Sequence, residues 1–201
     1  MKFLVAFLIL FLVSCTSLPT LATNLSGSAV QLYMNDKPFC SGVVIAKNRV
    51  LTNDHCVRLG TTDGVVVFFD GSKKPYKTLK QGDMEKSPDL ALIEVETDVT
   101  PVTFGEMPKQ GSYAVAMGSP FGLGWSFTMG VISFVNRDLK DEVSEESYGI
   151  FIQHDALTNP GSSGSGLFNL SGELIGLNAR GGSGISWAVP INQIIAFLKD
   201  S

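Results

Sequence analysis

An all-β fold of two barrels followed by a single C-terminal helix is what this 201-residue sequence predicts. Three observations carry that expectation. Short β-branched or apolar runs recur along the chain, separated by turn residues. They fall into two series divided by a strand-poor stretch, and only the last residues show a helical period. The first series is Ala29–Tyr33, Ser41–Ala46, Val65–Phe69 and Leu90–Val95, punctuated by Asn35-Asp36, Lys47-Asn48, Asp70-Gly71 and Gly82-Asp83. The second is Tyr113–Met117, Phe127–Val135, Gly149–His154, Gly166–Asn169, Leu174–Leu177 and Gly184–Val189. Many short strands with frequent turns suit a barrel or sandwich. Thr97–Gln110, with Pro101 and Pro108, reads as the crossover between the two units. After Pro190, Ile191, Ile194, Ile195 and Leu198 share one helical face.

The N-terminus reads differently. Lys2 precedes an apolar run from Phe3 to Val13, too short for a membrane span, which needs about 20 residues, but suited to a signal peptide over 1–14. Leu12-Val13-Ser14-Cys15 resembles a bacterial lipobox. It implies cleavage before Cys15, lipid on that cysteine, and a membrane-held chain in the cell envelope or outside the cell. The competing reading is an ordinary cleavage site, for instance after Ala22. The Ser/Thr-rich segment with Pro19 reads as a tether over 15–26. That leaves one domain at 27–201, with barrels over about 27–100 and 110–201.

With Cys15 lipidated or removed, Cys40 and Cys56 remain of the three cysteines. In an exported chain they are expected to pair. Such a bridge closes a loop of roughly 17 residues, is worth about 3 kcal/mol in the chain-entropy model, and anchors the neighbour of His55. The net charge of −4 and the absence of a basic cluster beyond Lys73-Lys74 argue against nucleic-acid binding. No Cys/His/acid group has metal-ligand spacing. Gly122-Leu123-Gly124 lacks the strand-to-helix context and third glycine of a nucleotide site. No cofactor or metal is expected.

Three short signals carry chemistry. Leu51-Thr52-Asn53-Asp54-His55-Cys56, Pro88-Asp89-Leu90-Ala91-Leu92 and Asn159-Pro160-Gly161-Ser162-Ser163-Gly164-Ser165-Gly166 follow in that order. A serine hydroxyl attacks only when a base can take its proton. His55 has the right titration range, and Asp89 can fix its tautomer and steady the imidazolium. The Gly-X-Ser-Gly register selects Ser163 over Ser162 and Ser165, and the Leu-Ala-Leu after Asp89 favours it over Asp83. Backbone N–H groups of Gly161 and Ser163 are the candidate oxyanion donors. His154, on a predicted strand, reads as a packed or hydrogen-bonded residue or as a shaper of the pocket.

In combination these segments resemble the trypsin-like peptidases, and within them the HtrA/DegP-like serine proteases. The histidine segment is Ser41–Ile45 with Val50–His55, and the aspartate segment is Asp89–Leu92. Ala116–Gly124 is similar to the family's Gly-Asn-Pro-Phe-Gly stretch. Gln153–Ala156 with Asn159–Gly164 matches the serine segment, and Gly184–Pro190 the last strand. The resemblance spans nearly all of residues 27–200. It implies two six-stranded antiparallel β-barrels of the chymotrypsin/trypsin type, a cleft between them, and hydrolysis of peptide bonds in proteins or peptides through an acyl-enzyme.

Departures from the family refine these expectations. The sequence stops after the final helix, where HtrA proteins continue into PDZ domains. Ser165-Gly166 replaces the usual Gly-Pro and resembles the glutamyl endopeptidases, yet Asn178 stands where those enzymes carry a histidine, so acid-specific cleavage is not implied. The Cys40–Cys56 spacing resembles the chymotrypsin-like disulfide. Ser162 stands where zymogen-type trypsins place a carboxylate, so activation by a new N-terminal amine has no partner. By resemblance, the substrate-binding wall includes Asn178, Ala179 and Gly181, with Ala179 and Gly181 pairing to an extended substrate. The alternative function is a silent trypsin-like binding protein or chaperone using the same cleft.

Overall fold

The structure is a computed structural model that describes residues 17–58, 64–83, 88–140 and 144–199. The expected leader and Cys15 lie outside the described residues.

In chain order the elements are α1 (Leu18–Ser28), β1 (Ala29–Met34), β2 (Lys37–Ala46), β3 (Arg49–Thr52), α2 (Asp54–Arg58), β4 (Val65–Val67), β5 (Lys73–Pro75), β6 (Lys77–Gln81) and β7 (Ala91–Glu94). An irregular crossover leads to β8 (Tyr113–Gly118), β9 (Ser126–Lys140), β10 (Ser147–His154), β11 (Gly166–Phe168), β12 (Leu174–Gly182), β13 (Ile185–Pro190) and α3 (Ile191–Lys199). Strands β8 to β13 close into a six-stranded barrel in the order β10-β13-β12-β11-β8-β9. The first unit is one curved sheet of seven strands, β5-β4-β1-β2-β3-β7-β6. Strand pairing in both is antiparallel.

Local chemistry explains several boundaries. The β1–β2 hairpin turns on Asn35 (φ 50°) and Asp36 (φ 59°), two left-handed residues in succession, as a tight twisted hairpin requires. The extra strands β5 and β6 form the two ends of the first sheet and carry Lys73, Lys74, Lys77 and Lys80. Lysines on open edges discourage pairing with other chains, and they also mask the strand signal in the sequence.

The expected tether is corrected over Leu18–Ser26, which belongs to a docked helix. Ser17 caps α1, its Oγ accepting the N–H of Thr20 at 3.4 Å, with proline in the first turn. Leu21 and Leu25 are buried in a cluster that also holds Val43, Leu51, Leu90, Met117, Phe151, Phe168 and Leu177. Ser17, Thr20 and Thr23 on the outer face, together with the buried Ser26, gave the segment its linker-like composition. Replacing Leu25 by alanine should therefore cost about 2–4 kcal/mol in urea unfolding. A true tether would show less than about 0.5 kcal/mol.

That cluster draws side chains from both sheets, α1 and α3, so the two units share one core. The C-terminal helix α3 forms after Pro190 as expected, burying Ile191, Ile194 and Phe197, with Ile195 and Leu198 partly covered. Among the described residues, no helix is long and apolar enough to cross a membrane. Cys40 on β2 and Cys56 on α2 form a disulfide with Cα atoms 6.1 Å apart, and both are buried.

Candidate active site

His55 projects from α2, a single turn set directly after β3. Asp54, fully buried, fixes that turn through an ion pair with Arg58 Nε at 2.6 Å and a hydrogen bond from Gln81 Nε2 at 3.2 Å. Asp89 reaches the same place from the segment just before β7. Its Oδ2 lies 2.7 Å from His55 Nδ1, and its Oδ1 accepts the His55 backbone N–H at 3.0 Å. Asn53 Nδ2 donates to the Asp89 carbonyl at 2.7 Å. A carboxylate only accepts, so His55 carries its proton on Nδ1 and presents a bare Nε2. The Asp89 side chain is 3% exposed and that of His55 21%: the acid is sealed away while the base remains reachable.

Ser163 sits in the loop between β10 and β11. The Ser162 N–H donates to the Asn159 carbonyl at 2.8 Å and the Ser165 N–H to the Ser162 carbonyl at 2.9 Å, so tight turns bracket the serine. Ser162 and Ser165 are buried, whereas Ser163 is partly exposed. Two glycines make the turns possible. Gly161 has φ +98°, and a Cβ there would lie 2.5 Å from the Ser119 carbonyl oxygen; Gly164 has φ +84°, and a Cβ would lie 2.1 Å from the Ser41 carbonyl oxygen. Side chains are excluded at both positions by strain and by contact.

The loop is held from both sides. The Phe121 N–H donates to the Pro160 carbonyl at 2.7 Å and the Ser41 N–H to the Ser163 carbonyl at 2.7 Å. Ser41 Oγ donates to the Gly161 carbonyl at 2.8 Å while accepting the Ser119 N–H at 3.0 Å. With those carbonyls engaged, the N–H groups of Gly161 and Ser163 make no hydrogen bond to any described residue. Cys56 Sγ lies 3.8 Å from the Ser163 carbonyl oxygen, which sets the serine beside the histidine segment. Ser163 Oγ and His55 Nε2 are not hydrogen-bonded here; such bonds are often long in a free protein and tighten around substrate.

Beside Ser163 opens a cavity of about 290 Å³ lined by residues that include Thr158, Pro160, Asn178, Ala179 and Gly181. The wall therefore contains all three residues expected to meet substrate. The Asn178 side chain is committed internally, accepting from His154 Nε2 at 2.8 Å and donating to Ser165 Oγ at 2.9 Å. Thr158 and Ser186 pair at 2.8 Å through their hydroxyls. The donor atoms of Cys40, His55 and Cys56 lie within 4.8 Å of one another. The sulfurs are bonded to each other and Nδ1 to Asp89, so this cluster has no ligand set to offer a metal.

Two contributors were not assigned from the sequence. Ser41 had one faint signal, its place between the paired Cys40 and the close-packed Gly42. The part played by Phe121 had none locally: its φ of 54° serves a contact with a loop some forty positions away.

These features define a two-unit β fold with the chemistry-bearing groups on its seam. The "Trypsin-like peptidase domain" family profile matches residues 40–177, and the chain belongs to that family. It is 38% identical over 174 residues to a probable periplasmic serine endoprotease DegP-like of Hahella chejuensis, covering 80% of this chain and 35% of that protein. It is 37% identical over 166 residues to the periplasmic serine endoprotease DegP of Escherichia coli strain K12, covering 77% and 34%. The solved HtrA-type protease AlgW with tripeptide superposes with a TM-score of 0.78 at 29% identity, over 92% of this chain and 63% of that one. The chain thus spans about a third of the length of the curated relatives it matches.

Proposed function

We propose that this domain is a serine endopeptidase of the cell envelope. The observation that carries the proposal is the doubly bonded His55–Asp89 pair beside a serine whose neighbouring N–H groups are uncommitted. His55 Nε2 takes the Ser163 proton as Oγ attacks a peptide carbonyl, and Asp89 stabilises the imidazolium. The N–H groups of Gly161 and Ser163 receive the developing oxyanion, a contribution of about 3–4 kcal/mol per donor. His55 then protonates the leaving amine, giving an acyl-enzyme that water hydrolyses by the reverse sequence of proton transfers. An extended substrate pairs with the backbone of Ala179 and Gly181, its side chain entering the cavity beside Ser163. Names of the relatives, periplasmic endoproteases, support the activity and the compartment.

A fluorophosphonate probe tests this reading. The folded protein should take one label, located on Ser163 by mass spectrometry; a folded protein that takes none would overturn the reading in favour of a binding protein. Lipid on Cys15 is a separate part of the proposal, supported by the Leu12–Cys15 motif. Metabolic labelling with palmitate should mark the mature chain and disappear in Cys15→Ser. An unlabelled membrane fraction sinks it.

A further inference from the structure

One buried titratable side chain has no part in the chemistry above. His154, at the end of β10, is 0% exposed, and Asn178 on β12 is 1% exposed. His154 Nε2 lies 2.8 Å from Asn178 Oδ1, while Asn178 Nδ2 lies 2.9 Å from Ser165 Oγ. His154 Nδ1 is buried and makes no hydrogen bond of full geometry, although the ring lies against the Ala156 backbone. The Asn178 contact fixes the sense of the chain. Asn178 Oδ1 can only accept, so the 2.8 Å contact puts the ring proton on Nε2. The imidazole therefore donates from Nε2, Asn178 accepts through Oδ1, and Nδ2 is turned to Ser165. Burial pushes the His154 pKa down to about 4, which keeps the ring neutral in this role.

Asn178 grips the nucleophile loop with its backbone as well. The Gly164 N–H donates to the Asn178 carbonyl at 2.8 Å, and the Asn178 N–H donates to the Ser165 carbonyl at 2.8 Å. Three bonds from one residue hold the two positions that follow Ser163. Ser165 has little room to shift, since a Cβ on Gly118 would lie 2.6 Å from its own Cβ. An asparagine amide can turn through half a circle at small steric cost. Here the donor on His154 decides which way it faces.

We infer that His154 is a positioning residue for Ser163, acting through Asn178 on Gly164 and Ser165 and so on the direction in which the nucleophile leaves its turn. The inference rests on the reading of Ser163 as nucleophile. It assigns a buried imidazole, remote from the bond being cut, to the alignment of the attacking oxygen.

The test compares the full chain with His154→Phe, which removes the donor, and His154→Gln, whose amide nitrogen can reach the place of Nε2. In His154→Phe, kcat on a fluorogenic peptide and the rate of fluorophosphonate labelling should both fall about tenfold, the worth of one hydrogen bond, with KM within about twofold. His154→Gln should recover most of the loss. Wild-type labelling rates in a folded His154→Phe, or equal losses in both variants, would overturn the inference and leave a packing role. Should His154→Phe fail to fold, the wild type decides. The chain has two histidines, so the ring nitrogens are assignable by ¹⁵N NMR. His154 should be the Nε2–H tautomer with a bare Nδ1, and its Nε2–H signal should move when Ser163 is phosphonylated. The opposite tautomer or an unmoved signal refutes the coupling. A wild-type protein that takes no label removes the reading of Ser163 itself, an outcome distinct from either.

Discussion

Ser163→Ala should lower kcat for peptide hydrolysis by about 10⁶-fold, the loss seen when the nucleophile of a serine protease is deleted, and should abolish fluorophosphonate labelling. The neighbouring serines offer no substitute. Ser162 and Ser165 are buried, Ser162 Oγ accepts the Asn159 N–H at 3.2 Å, and Ser165 Oγ accepts from Asn178. Neither hydroxyl is free to swing toward His55 without dismantling a turn. The exchange removes one partly exposed oxygen and leaves the loop's other bonds in place, so the melting temperature should stay close to that of the wild type. Comparing initial rates for the two purified proteins is sufficient. A residual activity within a hundredfold of wild type would mean that another group attacks.

Asp89→Asn should lower kcat by about 10⁴-fold with the fold intact. The carboxylate accepts from both Nδ1 and the backbone N–H of His55. An amide in its place has one oxygen and one NH₂ group. The oxygen can keep the backbone bond, which turns the NH₂ group toward Nδ1. The imidazole must then accept there and carry its proton on Nε2, on the side that should receive the proton of Ser163. A base in the wrong tautomer is the expected cause of the loss. The ¹⁵N spectrum of His55 should report the exchange directly, as a switch from Nδ1–H in the wild type to Nε2–H in the variant. A loss of less than about tenfold, with Nδ1–H retained, would show that Asp89 does not orient the base.

How much of this was legible depends on the range over which each feature is determined. Short-range features were read well. The strands of the second unit follow from β-branched runs between turns, and the helix Ile191–Lys199 follows from Pro190 and its apolar spacing. Gly161 and Gly164 advertise the left-handed turns around Ser163. The first helix was missed because two signals competed. Serine, threonine and proline suggested a linker, yet Ser17 and Pro19 are also a helix start, and Leu18, Leu21, Ala22 and Leu25 lie on one face. Strands β5 and β6 were missed because edge lysines hide the alternation. His154 was read as a packed or hydrogen-bonded strand residue, as it is, but the particular bonds of Ser41, Phe121 and His154 could not be read locally. Each is defined by a partner in a distant segment, Gly161 for Ser41, Pro160 for Phe121 and Asn178 for His154.

The position of Ser41 has a consequence for when the molecule is complete. It belongs to the first sheet, but its hydroxyl is bonded to residues 78 and 120 positions further along the chain. On the proposed reading, the first unit supplies the base and the carboxylate that orients it, but neither the nucleophile nor the anion cradle. Nor can an isolated second barrel make the cradle, since Ser41 supplies part of its scaffolding. On the proposed reading, hydrolytic competence therefore needs both units in place. On that reading a copy lacking either unit lacks part of the machinery: topology itself serves as the safety catch.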